Sequence, residues 1–153
     1  MEKQYDGAVY IGRFQPFHNG HLSVVRHGLS LANKVLILIG SSDSARTAKN
    51  PFTFEERSAM ILSCFIGAVL DRIVIEPLED YFYDDSLWSL RAKSIIDGYF
   101  GKHREIALLG HFKDESSKYL TNFTNLVYEP PEETPAISST DIRKGLVESK
   151  LNK

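Results

Sequence analysis

The sequence predicts a doubly wound α/β domain of the Rossmann-like kind: a five-stranded parallel sheet with helices on both faces. Five short apolar runs, at residues 8–12, 35–40, 72–77, 106–110 and 125–128, lack the alternation of a half-exposed strand, so each reads as a strand buried on both sides. Stretches with helical spacing separate them, and crossover helices between buried strands imply parallel pairing. Three of the runs close on glycine, at Gly12, Gly40 and Gly110, where sheets of this class place their ligands.

Taken in order, Ala8-Val9-Tyr10-Ile11 is the first strand and 20–32 the first helix. The stretch GRFQPFHNGH, residues 12–21, therefore falls where strand becomes helix. The second strand leads into residues 41–52, the longest loop, which is serine-rich, expected to be mobile, and closed by Asn50-Pro51. Thr53 and Glu56 form a capping box for a helix expected over 54–67. A strand at 72–77, a helix at 86–100, a strand at 106–110 and a short helix at 115–122 follow. After the last strand, PPEETP at 130–135 is a stiff connector to ISSTDIR at 137–143, whose hydroxyls and acid open a final helix at 139–149.

A chain of 153 residues is enough for one hydrophobic core, so a single domain over 1–153 is expected. Hydrophobic residues make up 42% and charged residues 25%, ordinary usage that argues against a disordered or fibrous chain. The net charge of −2 supplies no basic field for a nucleic-acid backbone, so a phosphate bound here must meet a few local cations. Cys64 is the single cysteine, which excludes an internal disulfide and a cysteine metal cluster and fits a cytoplasmic location. Its neighbours Ile61, Leu62, Phe65 and Ile66 suggest a core position. There is neither a signal-peptide pattern nor an apolar run near the ~20 residues that cross a bilayer, so no membrane association is expected.

His18 and His21 carry the chemistry. A metal site is disfavoured, because no third ligand lies near them: His27 is six residues past His21, and Cys64 is distant. An anion site is favoured. Gly20 lets a ligand approach the backbone, and a helix N-terminus offers main-chain N–H groups and a partial positive charge to which the imidazoles add donors. Such a site stabilises charge on a phosphate as a bond to it breaks, without a protein nucleophile. Neither G-x-x-x-x-G-K-[ST] nor a G-x-G-x-x-G after a strand is present, so kinase-like and dinucleotide-dehydrogenase readings lose their support.

The run from Gly12 to His21 resembles the H-x-G-H signature of the nucleotidyltransferase superfamily, and Ile137-Ser138-Ser139-Thr140-Asp141-Ile142-Arg143 resembles its second signature, I-S-S-T-x-x-R. With Gly40-Ser41-Ser42, Lys49-Asn50-Pro51-Phe52-Thr53, Glu56-Arg57, Asp80, Tyr83-Asp84-Asp85, Trp88 and Gly110-His111 in place, the chain is similar over nearly its whole length to archaeal-type nicotinamide-mononucleotide adenylyltransferases. It is closer still to the adenylyltransferase half of bacterial proteins that carry a Nudix hydrolase domain, though no Nudix domain is expected within these residues. The resemblance implies transfer of AMP from ATP to the 5′-phosphate of nicotinamide mononucleotide, giving NAD and pyrophosphate, with Mg2+ accompanying ATP. It assigns His18, His21 and Arg143 to catalysis. Gly12, Arg13, Phe14, Gly20, Lys49, Gly110, His111, Ile137, Ser138, Ser139 and Thr140 go to ATP binding, and Gly40, Ser41, Phe52, Asp80, Asp85 and Trp88 to the mononucleotide. It also implies a homo-oligomer.

Lysine at position 49 stands where related enzymes often carry arginine, and it is a point charge rather than a fork. Trp88 would stack on the pyridinium ring, a cation against an indole face, and Asp80 would meet the carboxamide. Asp84 and Asp85 also read as a solvated helix cap, Ser138 to Thr140 as N-caps, and Arg46, Arg57 and Lys113 as accessory charges. Because Asp80, Asp84 and Asp85 would repel a carboxylate, the amide form of the acceptor is expected to be preferred over nicotinate mononucleotide. Two other readings stay open: a nucleotidyltransferase with pantetheine phosphate, a flavin or a polyol phosphate as acceptor, and a weakly active nucleotide-binding sensor.

Overall fold

A computed structural model describes residues 3–42, 46–48, 50–80, 85–102, 104–110, 126–129 and 139–151. Its strands are β1 (Gly7–Gly12), β2 (Val35–Ile39), β3 (Ile73–Pro77), β4 (Ile106–Leu109) and β5 (Leu126–Glu129). Its helices are α1 (Asn19–Leu31), α2 (Phe54–Leu62), α3 (Asp85–Phe100) and α4 (Ser139–Leu151), with a 3-10 helix at Gly67–Arg72. All strand pairs are parallel, in the order β3-β2-β1-β4-β5, with Val9 opposite Leu36 on one side and Leu108 on the other.

That order positions the site. The chain runs outward from β1 to β3, then returns to the far side of β1 for β4 and β5, so the order reverses between β1 and β4. A crevice opens beyond the carboxyl ends of strands at such a reversal, here beside Gly12 and Gly110. Gly110 has φ +111, which a side chain rarely adopts, and a Cβ there would lie 3.0 Å from the Tyr10 ring.

Alternate residues of each strand feed two apolar layers. Ala8, Tyr10, Ile37, Ile39, Ala107 and Leu109 pack with Val24 and Val25 of α1 and Ile61 of α2. Val9, Leu36, Leu38, Ile106 and Leu108 pack with Ala92 and Ile96 of α3. Helices thus cover both faces, which is why the strands are apolar throughout. Gly28 brings α1 close to β4, since a Cβ there would sit 2.5 Å from Leu109 Cδ1. At the far end of α1, the Arg72 guanidinium donates to the carbonyls of Leu29, Ala32 and Asn33.

Three sequence expectations shift. The helix expected over 54–67 stops at Leu62, capped by Ser63, and the chain turns through Gly67 (φ +67) into the 3-10 helix. Cys64 is therefore exposed, not in the core. The apolar face ends with Ile61, and only Phe65 folds back, while Ile66 is 85% exposed. The fifth strand runs one residue later than 125–128. The helix expected at 115–122 lies outside the described residues. Among the described residues, no helix is long and apolar enough to cross a membrane.

Candidate functional site at the reversal of the sheet

The turn after β1 is built by its own side chains. His18 is the N-cap of α1, and its Nδ1 accepts from Gly20 N at 3.0 Å. His21, at the third helical position, returns the arrangement: its Nδ1 accepts from His18 N at 3.2 Å. Two histidines thus form a reciprocal capping box, the role that Thr53 and Glu56 play at α2. The rings stack with centroids 3.7 Å apart and planes inclined by 21°.

Accepting through Nδ1 fixes the tautomer. Each neutral ring carries its proton on Nε2, which presents an N–H on the edge opposite the helix amides. Phe17 stacks on His21 and Phe14 meets it edge-on, and this enclosure, with the neighbouring His18, lowers the His21 pKa to about 3. Burial lowers His18 as well. At neutral pH the pair offers two uncharged donors.

Guanidinium groups supply the positive charge. Arg143 of α4 donates to Gln15 O at 2.6 Å and to Thr140 Oγ1 at 3.3 Å, and Ser139 Oγ donates to Pro16 O at 2.8 Å. The start of the last helix is therefore seated on the loop that leads into the first. Burial lowers the Arg143 pKa first, and the charge of Arg13 lowers it further, so Arg13 shares this corner.

Gln15 and Arg57 join this corner to the end of β2. Gln15 is 1% exposed, and its amide makes both main-chain bonds to Phe52, donating to Phe52 O and accepting from Phe52 N, each at 3.0 Å. Arg57, also 1% exposed, donates to the carbonyls of Arg13, Gly40, Ser41 and Thr53. Ser41, with φ +52, donates its hydroxyl to Asp80 Oδ1 at 3.0 Å. Trp88 lies half-buried at the edge of the layer formed with α3.

This arrangement has close relatives. Residues 9–145 match the family described as Cytidylyltransferase-like. A protein of Acinetobacter baylyi named nicotinamide/nicotinic acid mononucleotide adenylyltransferase is 36% identical over 97% of this chain and 79% of its own length. A nicotinamide-nucleotide adenylyltransferase of Thermococcus onnurineus is 32% identical over 92% of this chain and 72% of its own. The chain belongs to the cytidylyltransferase-like family.

Among solved structures, a bifunctional NMN adenylyltransferase/ADP ribose pyrophosphatase from Francisella tularensis superposes with a TM-score of 0.84 at 38% identity. The match covers 95% of this chain and 43% of that one. The same protein complexed with AMP and Mn ion gives 0.81 at 36% identity, over 94% and 42%. This chain thus spans less than half of that solved chain.

Within this cytidylyltransferase-like frame, Gly12, Arg13, Phe14, His18, Gly20 and His21 lie on the turn from β1 into α1, and Ser139 and Arg143 are hydrogen-bonded to the same turn at Pro16 and Gln15, with Thr140 bonded to Arg143. Gly40, Ser41 and Asp80 are joined through Arg57 and the Ser41 hydroxyl, Phe52 is bonded to Gln15 of the first turn, and Gly110 follows the end of β4. Lys49, His111, Ile137, Ser138, Asp84 and Lys113 lie outside the described residues, and Asp85 is described only as the first residue of α3. Two expectations change. Arg57 is a buried clamp rather than an accessory surface charge, and Arg46 is paired with Glu56 at 2.9 Å and with Pro51 O. The connecting role of Gln15 was missed, since its partner Phe52 is 37 residues away and no periodicity reports such a pair.

Proposed function

We propose that this chain transfers the adenylyl group of ATP to the 5′-phosphate of nicotinamide mononucleotide, releasing pyrophosphate and forming NAD. A phosphate oxygen of the mononucleotide attacks the α-phosphorus in line; a new P–O bond forms there as the bond to the β-phosphate oxygen breaks, and the leaving pyrophosphate takes the electron pair. The acceptor is already an anion at neutral pH, so the reaction needs alignment and charge neutralisation rather than a general base. The Nε2–H edges of His18 and His21 donate to the α- and β-phosphate oxygens. Arg13 and Arg143 balance the charge that collects on the leaving group.

The observation that carries this reading is the seating of Arg143 on Gln15 O, 128 residues away in sequence, which ties the second signature motif to the turn that carries the first. The relatives named as adenylyltransferases support the substrate pair. Among the described residues, no group of three His, Cys, Asp or Glu side chains could hold a metal ion. Mg2+ is a hard cation that takes oxygen ligands such as those of a triphosphate, so in this reading it enters as part of the MgATP substrate.

On the acceptor side, Asp80 and the Gly40–Ser41 turn face the carboxamide end and Trp88 covers the pyridinium ring. The test is pyrophosphate release from ATP with nicotinamide mononucleotide, nicotinate mononucleotide, pantetheine phosphate or a polyol phosphate as acceptor. Release that depends on a pyridine mononucleotide is expected, and release with another acceptor alone would overturn the reading.

A further inference from the structure

We propose that Arg57 is a positioning residue for adenylyl transfer, holding two left-handed turns side by side at the ends of β1 and β2. This inference rests on the function proposed above. Its basis is a coincidence of two kinds of geometry. Arg57 Nη1 donates to Arg13 O at 2.8 Å and to Gly40 O at 2.7 Å, and the residues that follow those two carbonyls are Phe14 and Ser41. These are the two described non-glycine residues with positive φ, each at +52°.

Left-handed backbone is disfavoured for a residue with a side chain and persists where its surroundings enforce it. One nitrogen enforces it twice. In a planar trans peptide the C=O and the following N–H point in opposite directions, so holding the Arg13 and Gly40 carbonyls sends the N–H groups of Phe14 and Ser41 away from the guanidinium. Carbonyl oxygens that would repel a phosphate are drawn to a buried cation instead. Arg57 Nη2 adds a bond to Ser41 O at 3.2 Å, and Nε ties the clamp to Thr53 O, the N-cap of α2.

The two turns belong to different substrates in the proposed reaction. Arg13 and Phe14 lie on the ATP side, while Gly40 and Ser41, which reaches Asp80, lie on the acceptor side. Gly40 N also donates to Gly12 O at 2.8 Å, so the turns are neighbours. Arg57 therefore sets the spacing between nucleophile and electrophile without touching either. Lysine would keep the charge but cannot span two carbonyls and a third from a planar fork.

Arg57→Lys and Arg57→Met are compared with the wild type by steady-state pyrophosphate release, normalised to the folded fraction from thermal unfolding. We expect kcat per folded molecule to fall about 100-fold in Arg57→Met and at least 10-fold in Arg57→Lys, with KM for ATP changing less than about threefold. If Arg57→Met does not fold, Arg57→Lys decides alone. Wild-type kcat in the lysine variant, or a rise in KM for ATP that exceeds the fall in kcat, would overturn the proposal. Absence of pyrophosphate from the wild type would overturn the adenylyl-transfer reading and this inference with it, whereas active wild type with unimpaired variants overturns this inference alone.

Discussion

Around His18 and His21 the backbone and side chains hold one another: each ring's Nδ1 meets a main-chain amide, and the loop before them is tied to Phe52 by Gln15 and to α4 by Arg143 and Ser139. On the acceptor side Arg57 holds the carbonyls of Gly40 and Ser41 and the Ser41 hydroxyl meets Asp80, while Trp88 stands half-exposed at the margin of the α3 layer. The contrast follows from the chemistry proposed for each. Charge developing on phosphate is stabilised best by donors that need no reorganisation, which demands a rigid corner. Recognition of a ring needs a surface that fits it, and one aromatic face with one hydrogen-bonding group is enough.

The sharpest way to break this contrast separates the two nitrogens of His18. His18→Asn places an oxygen where Nδ1 stood and keeps the cap, but it removes the distal N–H. His18→Gln carries an N–H toward the Nε2 position and loses the cap. We expect the asparagine variant to unfold near the wild-type temperature while kcat falls about 10²–10³-fold. The glutamine variant should lose about 1 kcal/mol of stability and keep more of its turnover. Near-normal kcat in His18→Asn would reduce the stacked pair to an architectural device.

A second test uses pH. His21 titrates near its ordinary value of 6.5 in the unfolded chain and at about 3 in the fold, so between these values the unfolded state binds the extra proton. Stability contributed by the enclosed neutral ring is fully present above pH 6.5 and is lost as pH falls toward 3. The slope is roughly 1.4 kcal/mol per pH unit, or tenfold in the folding equilibrium. Urea unfolding from pH 7 to 5 should show this slope flattened in His21→Phe; equal slopes in the two proteins would mean that the ring is not held neutral by the corner.

The same contrast governs what could be read from the chain alone. The strands were legible because burial on both faces leaves an uninterrupted apolar run, and α2 because its capping box is local. The histidine motif gave the place and the donors, yet the reciprocal cap that fixes the tautomer appears only once Gly20 N and His18 N are oriented by the helix. Arg57 misled for a physical reason. An arginine near a helix start is usually solvated, and what buries this one is a set of carbonyls from residues 13, 40 and 41, contacts with no periodicity. Cys64 misled in the opposite sense, since α2 ends at Leu62 and Cys64, two residues beyond, no longer shares the buried face of Ile61.

On the acceptor side the expected effects are smaller. Trp88→Ala should raise KM for nicotinamide mononucleotide about tenfold while leaving KM for ATP unchanged, as befits a ring contact that is partly solvated. An equal rise in both constants would assign Trp88 to the packing of α3 against Leu36 and Leu38 rather than to a substrate.

The smallest expected effect concerns Asp80, and it tests whether the adjustable side sets acceptor choice. A carboxylate fixed by the Ser41 hydroxyl repels the acid form of the acceptor and accepts from the amide form, but solvent and salt screen the repulsion to a few-fold difference. The wild type should therefore favour nicotinamide over nicotinate mononucleotide in kcat/KM by about threefold to fivefold. Asp80→Asn keeps an acceptor for Ser41 and removes the charge, so it should bring the ratio toward one with kcat nearly unchanged. High salt should compress the wild-type ratio in the same direction and leave the variant's ratio where it was. A ratio that ignores both the substitution and the salt would place acceptor choice in the shape of the pocket around Trp88, and the electrostatic account of the acceptor side would fall while that of the histidine corner stood.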